Sequence, residues 1–445
     1  MRRAGIWLAA ALACAAPAHA LDVMHSETVT LKNGARLVLA PDALSKSVDV
    51  AVWYDAGSRH DVAGRTGVAH LFEHLMFRGS NLYGPDEHSR LVRNEGGSSG
   101  AYATHDFISF YETLPPDAVE LAFRLEADRM TGLKLTQQGL DAERPLVTQE
   151  REQRATPISI GLERAYGLAF PNHPYGVSVF GRPADLSQIT LKNLRDFYAA
   201  RYGPRNAVVT VVGNFSRDRV VELARKFLEP IKGSSKGTKD LPADKPQTAE
   251  RRAVERTQVP VRVLMTAWRI PPRSHADWAA FNLLATVLTR ANDAPLAKRL
   301  IGNPALAYSI QGDVDSRREG SLFYLALAVT PEADSAEVER TLSDELARLG
   351  REPVAESDLE RAKRQTETTI GFGLQTTRSR AQALGSGWML AGDPQDLDHL
   401  LARVRGANAA DLQRVAAQLT PQRRNVVWLL PISNGSTSSS SGGRP

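Results

Sequence analysis

The residues most able to do chemistry are His70, Glu73 and His74, which lie within five consecutive positions. Residues 67–78 contain no proline, are rich in Leu, Met and Phe, and precede a glycine, which predicts a helix. On a helix the two histidines share a face and the glutamate lies beside them. Two imidazoles so spaced can bind one Zn²⁺, and the carboxylate can take a proton from a water that the metal activates. The alternative is a helix with two hydrogen-bonded histidines and a surface glutamate, because so short a pattern also occurs by chance.

A catalytic zinc needs a third protein ligand, and the best candidates are Glu143 and Glu150 within residues 142–151. They stand seven positions apart, so a continuous helix would place both on one face. Pro145 either kinks that helix or begins it, and only Glu150 keeps its place under both interpretations. Without further context, an acidic residue here would be interpreted as a solvated surface charge.

Length and composition limit the class of protein. The chain has 445 residues, of which 42% are hydrophobic and 24% charged, as in ordinary globular proteins, which excludes a disordered or collagen-like chain. At about 150 residues per domain this length predicts two to four domains. The net charge of +5 is modest and mixed along the chain, so no nucleic-acid partner is indicated.

The first 20 residues predict a signal peptide. A basic start is followed by a short apolar run at residues 5–13 and by Ala18-His19-Ala20, the small-x-small pattern that signal peptidase accepts. The run is too short to span a bilayer, and no other stretch approaches that length. The only cysteine, Cys14, lies in this segment. It faintly resembles a lipidation site, which leaves a lipoprotein as the alternative to a free exported protein.

Two parts of the chain repeat one order of elements. A helix-like segment, an Arg-Asn pair and an apolar strand-like run occur at residues 194–212 and again at 412–430. Strand-like runs that begin near Val48 and Val261 precede the two pairs by similar distances, which favours duplication over coincidence. Helix-then-strand pairs are also common by themselves. Mixed helices and strands without strict alternation predict an α+β fold.

The predicted boundaries follow from composition. The segment 232–257 is rich in Gly, Ser, Lys, Pro and Glu and predicts an exposed linker. Residues 433–445 cannot bury a side-chain core and predict a disordered tail. An N-terminal domain at 21–231 and a homologous C-terminal domain at 258–432 remain.

Residues 67–80 resemble the inverted zinc motif of the pitrilysin/insulinase family of metallopeptidases, the inverzincins. Glu150 stands 76 residues after His74, where that family carries its third ligand. The resemblance covers most of residues 27–230, in order and at the family's spacing. It continues through four further segments, at residues 96–115, 125–130, 173–176 and 189–214.

The resemblance implies a zinc metalloendopeptidase that acts on unfolded peptides or oligopeptides. In that family's pattern His70, His74 and Glu150 hold one Zn²⁺ per chain, Glu73 acts as general base, and Glu143 orients a ligand. It also implies two homologous α/β-sandwich-like domains that form half of a clamshell chamber. Extended peptides would bind there by pairing with a strand edge.

Gly100 and Ile301 depart from the family's pattern, and Tyr308 follows it. Gly100 stands where members usually carry an Asn that contacts the substrate backbone. Tyr308 resembles the family's substrate-binding Tyr, although a strand-packing aromatic is the alternative. The Arg that normally precedes this Tyr by seven positions is replaced by Ile301, and Arg299 lies nearby but out of register.

The chain has two such domains, whereas long members of the family have four, and half-length relatives generally dimerise. The resemblance therefore implies a homodimer that uses Tyr308 with Arg299, or a heterodimer in which a related subunit supplies the Arg/Tyr pair. The signal peptide and the family's habit predict the periplasm of a Gram-negative bacterium. A non-catalytic subunit and a periplasmic peptide-binding protein are the alternatives from other functional classes.

Overall fold

The computed structural model describes residues 24–233, 241, 244–291, 293–302 and 304–432. The predicted signal peptide, Cys14 and the predicted tail lie outside the described residues. In the described part of the chain no helix is long and apolar enough to cross a bilayer.

The N-terminal half is built on a six-stranded mixed sheet, counted over the described residues, with the strand order β1-β2-β6-β3-β5-β4. Its strands are β1 Glu27–Thr30, β2 Arg36–Pro41, β3 Val48–Tyr54, β4 Ser98–Ala103, β5 Ile108–Leu114 and β6 Ala207–Gly213. Its helices are α1 Val68–Leu75, α2 Glu87–Asn94, α3 Val119–Gly132, α4 Gln137–Gln153, α5 Pro157–Ala169, α6 Pro183–Leu186, α7 Leu191–Arg201 and α8 Arg217–Phe227.

The C-terminal half carries a five-stranded mixed sheet, again over the described residues, with the order β7-β11-β8-β10-β9. Its strands are β7 Arg251–Thr257, β8 Arg262–Ile270, β9 Ala307–Asp315, β10 Ser321–Val329 and β11 Arg424–Pro431. Its helices are α9 Trp278–Thr289, α10 Pro295–Leu300, α11 Ser335–Arg351, α12 Glu356–Gly373, α13 Thr377–Ala391, α14 Asp396–Gly406 and α15 Ala409–Ala416.

The two sheets share one topology. β2 pairs parallel with β6 as β7 does with β11, and each of these pairs continues through three antiparallel strands. The strand β1 is an addition of the N-terminal half. The predicted α+β fold of two similar domains is thereby confirmed. The repeated helix-strand units correspond to α7 with β6 and to α15 with β11.

The predicted linker is too long at its C-terminal end. Its last seven residues, Arg251–Thr257, form β7 and pair along their whole length with β11. The strand lies at the sheet edge, and its side chains alternate between exposed and partly exposed positions. An edge strand of this kind needs few apolar residues, so its composition resembles that of a linker.

One helix from each half packs on the sheet of the other half. Helix α5 packs on β8 and β11, and helix α13 packs on β6 and β3. Glycines allow both close approaches: a Cβ added to Gly385 of α13 would lie 2.0 Å from the ring of Trp53, and one added to Gly161 of α5 would lie 3.1 Å from Met265. The two halves therefore form one interlocked unit.

The helix α1 is held against the N-terminal core by apolar side chains. Leu71, Phe72 and Leu75 are buried in the same cluster as residues of β3, β5 and β6. Phe72 stacks on Tyr202 at 4.9 Å between ring centroids. The residues of the predicted zinc motif, His70, Glu73 and His74, lie on the opposite face of α1.

Candidate metal centre

The side chains of His70, His74 and Glu150 converge on one point. Nε2 of His70 lies 3.2 Å from Oε2 of Glu150, and Nε2 of His74 lies 3.0 Å from the same oxygen. Tetrahedral zinc with bonds of about 2.0–2.1 Å keeps its ligand atoms roughly 3.3 Å apart. Both measured distances are close to that spacing, and the three ligand atoms all lie within 4.8 Å of one another.

The orientation of His74 also suits a cation. Its Nδ1 lies 2.9 Å from Oε2 of Glu143, so Nδ1 carries the proton and donates it to the carboxylate. In the neutral imidazole, Nε2 is then the nitrogen that could bind a cation, and it lies next to Oε2 of Glu150. A neutral imidazole nitrogen and a carboxylate oxygen 3.0 Å apart are a donor pair that zinc binds in proteins.

Glu143 is buried and is held by two basic groups, His74 and the guanidinium of Arg78. Burial opposes ionisation of its carboxyl, but the hydrogen bonds from these two groups prevail and lower its pKa. Glu143 therefore stays ionised and keeps His74 in place. Sequence reasoning did not identify Arg78, although its position one turn after His74 was a usable signal.

Glu150 lies on the same helix as Glu143, because α4 continues through Pro145. Burial again opposes ionisation of Glu150, but the neighbouring His70, Arg154 and His74 together outweigh it and lower the pKa. Arg154 lies 2.6 Å from Oε1 of Glu150, which leaves Oε2 directed at the two histidines. The predicted third ligand is therefore an ionised carboxylate.

Glu73 is fixed beside this point by the edge strand of the sheet. Its Oε2 accepts a hydrogen bond from the backbone N–H of Ala103 at 2.8 Å and lies 3.3 Å from Nδ1 of His70. Ala103 is the last residue of β4, which is the outermost strand. This contact leaves Oε1 of Glu73 as the oxygen available for a proton.

Phe180 covers one side of the centre. Its ring packs edge-on against His70 at 4.6 Å between centroids. No sequence signal marked Phe180, because it lies in a connecting segment with no periodic pattern. An open cavity of about 290 Å³ is lined by Glu73, His74 and Phe77 among others. Phe180 thus shields His70, while Glu73 and His74 are accessible from the cavity.

The predicted substrate-binding residues are not among the side chains that converge on this centre. Gly100 is in the middle of β4, where an added Cβ would lie 2.5 Å from the hydroxyl oxygen of Tyr111. Tyr308 is on β9 with 58% of its surface exposed. Arg299 is on α10, and its guanidinium pairs with the buried Glu345 of α11 at 3.2 Å. These three assignments stay predictions.

Two family models match successive parts of the chain. The model described as Insulinase (Peptidase family M16) matches residues 36–179, and that described as Peptidase M16 inactive domain matches residues 188–366. The chain belongs to the M16 peptidase family. The residues that converge on the centre all lie in the first span. The span described as inactive covers most of the C-terminal half.

Individual relatives support the family at full length. Zinc protease PqqE of Helicobacter pylori is 26% identical over 396 residues, which cover 88% of this chain and 89% of that protein. The crystal structure of a protease from Helicobacter pylori superposes with a TM-score of 0.85 at 26% identity and covers 91% of this chain and 99% of that one. The periplasmic protease PqqL of Escherichia coli superposes with a TM-score of 0.76 at 17% identity, and this chain covers 47% of it.

Proposed function

We propose that this chain is a zinc metalloendopeptidase that hydrolyses unfolded peptides. The observation that carries the proposal is the convergence of His70, His74 and Glu150 at ligand spacing, with the free carboxylate oxygen of Glu73 beside them. Relatives named zinc proteases support the same metal. An inactive member of the family would not need to retain these four side chains in this arrangement.

The chain's own residues would divide the chemistry as follows. When bound, zinc supplies Lewis acidity toward a water and toward the scissile carbonyl. Glu73 would receive the proton of the attacking water at Oε1 and pass it to the leaving amine. The N–H of Ala103 holds Oε2 of Glu73, so the base keeps its orientation while the proton moves. Glu143 would hold the His74 ring through Nδ1.

The substrate would be an extended peptide. β4 is an edge strand, so the outer side of its backbone can pair with another strand. The same strand holds Glu73 through Ala103, which would place a paired peptide next to the base. Backbone pairing gives loose sequence preference but excludes folded proteins, because only an unfolded chain can add a strand.

The test uses the purified mature chain. We expect about one zinc per chain and cleavage of an unstructured peptide that stops on addition of a chelator and returns with zinc. A folded protein of the same sequence composition should resist cleavage. Zinc-free protein that cleaves at the same rate would contradict the proposal, and the absence of both zinc and cleavage would favour a peptide-binding protein.

We further propose that a second subunit completes the site. The position seven residues before Tyr308 is Ile301, and the nearby Arg299 is engaged with Glu345. A related subunit with an Arg/Tyr pair would supply the Arg that this chain lacks at position 301, and this chain covers 47% of PqqL, which is about twice as long. Cleavage by the chain alone at a rate that no co-purified partner increases would favour a homodimer instead.

The site of action that we propose is the periplasm. The support is the sequence of residues 1–20, which has the pattern of a cleaved signal peptide. Fractionation of cells that express the full chain tests this: mature protein in the periplasmic fraction with Leu21 at its N-terminus is expected. Protein that retains Met1 in the cytoplasm would contradict it, and a lipidated Cys14 would indicate the anchored alternative.

A further inference from the structure

The N-terminus of α1 lacks a side-chain cap, whereas α4, α5, α7, α11, α13 and α15 carry one. Its N-cap residue is Gly67, with φ +97°, which L side chains rarely adopt. A Cβ at this position would also lie 2.6 Å from Leu186 and 2.8 Å from the carbonyl oxygen of Phe180. The fold therefore requires glycine here and excludes the usual Ser, Thr, Asp or Asn cap.

A remote carboxylate replaces the missing cap. Oδ2 of Asp61 accepts a hydrogen bond from the N–H of Gly67 at 2.7 Å, and Oδ1 accepts one from Ala69 at 3.1 Å. Both oxygens thus serve the first turn of α1, where backbone N–H groups have no partner within the helix.

The first turn of α1 is also the turn that carries His70. His70 is the third residue of the helix and directly follows Ala69, whose N–H is held by Asp61. α1 has only eight residues, so an unfastened first turn could fray without loss of the rest of the fold. Fraying would displace His70 while Glu73 and His74 remain in the second turn.

Asp61 itself is held by the hairpin that holds Glu73. It follows a turn in which the N–H groups of Ser58 and Arg59 donate to the carbonyls of Thr104 and His105. The β4–β5 hairpin therefore fastens α1 at two places: through Asp61 at its first turn and through Ala103 at Glu73. The same hairpin is thus linked to the first turn of α1, through Asp61, and to Glu73, through Ala103.

We propose that Asp61 is a positioning residue that sets zinc affinity by fixing the backbone under His70. This inference rests on the proposed function. The hydrogen bonds of Asp61 go to backbone N–H groups of the first turn, among them those of Gly67 and Ala69, so its effect on the ligands passes through that backbone. A residue that merely stabilised the fold would lower stability without a matching loss of zinc affinity.

The experiment compares three variants of the full mature chain: Asp61→Ala, Asp61→Asn and Asn408→Ala. Asn408 caps α15, which also has eight residues but carries no zinc ligand, so its removal is a matched loss of one cap. Zinc affinity is measured by competition with a chelator of known affinity, and unfolding of the zinc-free protein is measured by denaturant. Peptide cleavage serves as a third readout.

We expect Asp61→Ala to weaken zinc binding by about tenfold or more, as loss of groups that support metal ligands generally does. Asp61→Asn keeps one acceptor oxygen and should recover part of the affinity. Asn408→Ala should bind zinc as the wild type does, although the zinc-free protein loses comparable stability. Equal zinc affinity in Asp61→Ala and Asn408→Ala would overturn this inference alone. A wild type that binds no zinc would overturn the proposed function and the inference together.

Discussion

Nδ1 of His74 lies 2.9 Å from the carboxylate of Glu143, and this contact turns the other ring nitrogen toward Glu150. Glu143 is in turn fixed by Arg78. The order Arg78, Glu143, His74 is therefore a chain of charge-assisted contacts that ends at the proposed metal position. It explains why a residue that binds no metal is nevertheless buried and ionised beside the site.

The first prediction concerns Glu143. The Glu143→Ala variant should bind zinc roughly 10- to 100-fold more weakly than the wild type, because His74 loses the acceptor that fixes its ring. Chelator competition measures the affinity. Glu152→Ala is the control, since Glu152 is exposed on the same helix. Unchanged zinc affinity in Glu143→Ala would show that Glu143 does not orient the ligand.

How far the sequence predicts this site depends on the range of the contacts. His70, Glu73 and His74 share one helix, so their spacing was sufficient to place them together. Glu150 was one of two candidates until the family resemblance selected it, since a distance of 76 residues along the chain has no local signal. Phe180 and Asp61 reach the centre through loops, and neither periodicity nor spacing indicated them.

The second prediction separates Tyr308 from Arg299. Arg299 pairs with Glu345 on α11, so Arg299→Gln should change peptide cleavage less than twofold. Tyr308 is exposed on an edge strand, where it can contact substrate or a partner. Tyr308→Ala should raise KM with little change in zinc content. A large loss of cleavage in Arg299→Gln, with the fold intact, would return Arg299 to the mechanism.

The third prediction tests the exchanged helices. Gly385→Ala should lower the free energy of unfolding by about 1–3 kcal/mol or more, because the added methyl overlaps the ring of Trp53. Gly371→Ala is the matched control: it lies in α12 with open space around it and should stabilise by up to about 1 kcal/mol. Denaturant unfolding measures both. Equal stability of the two variants would mean that α13 does not pack on β3 as described.

The exchange of α5 and α13 is the part of the fold that the sequence did not predict. Repeated strand and helix patterns were enough to indicate two similar halves. The partner of each amphipathic helix was not readable, because an apolar face does not specify which sheet it covers. β7 was missed for a similar reason: its composition resembles that of a linker, and only its pairing with β11 shows that it is a strand.

The fourth prediction concerns pH and the buried pair Glu112 and Glu126, which both contact the guanidinium of Arg129. Burial raises the pKa of Glu112 to about 7 and that of Glu126 to about 8, above the ordinary 4.5. The folded chain then binds protons more tightly than the unfolded chain. Its stability is therefore greatest at low pH within this range and falls as pH rises toward 8, by roughly 1.4 kcal/mol per pH unit for each proton.

Replacement of Glu126 by Gln removes one of the two carboxyl groups whose pKa is raised in the folded chain. Unfolding of the Glu126→Gln variant should depend less steeply on pH between about 5 and 8 than unfolding of the wild type. Denaturant curves at several pH values measure the two slopes, with Glu152→Gln as the exposed control. Parallel slopes for all three proteins would show that Glu126 is ionised throughout and needs no proton.

The most direct test of the central claim compares the wild type with Glu73→Gln for zinc content and peptide cleavage in the same preparations. The variant keeps a side chain of equal size that can still accept the N–H of Ala103, but it cannot take a proton. We predict about one zinc per chain in both proteins, with cleavage in the wild type and a loss of at least roughly 100-fold in the variant. Undiminished, chelator-resistant cleavage by Glu73→Gln would contradict the account.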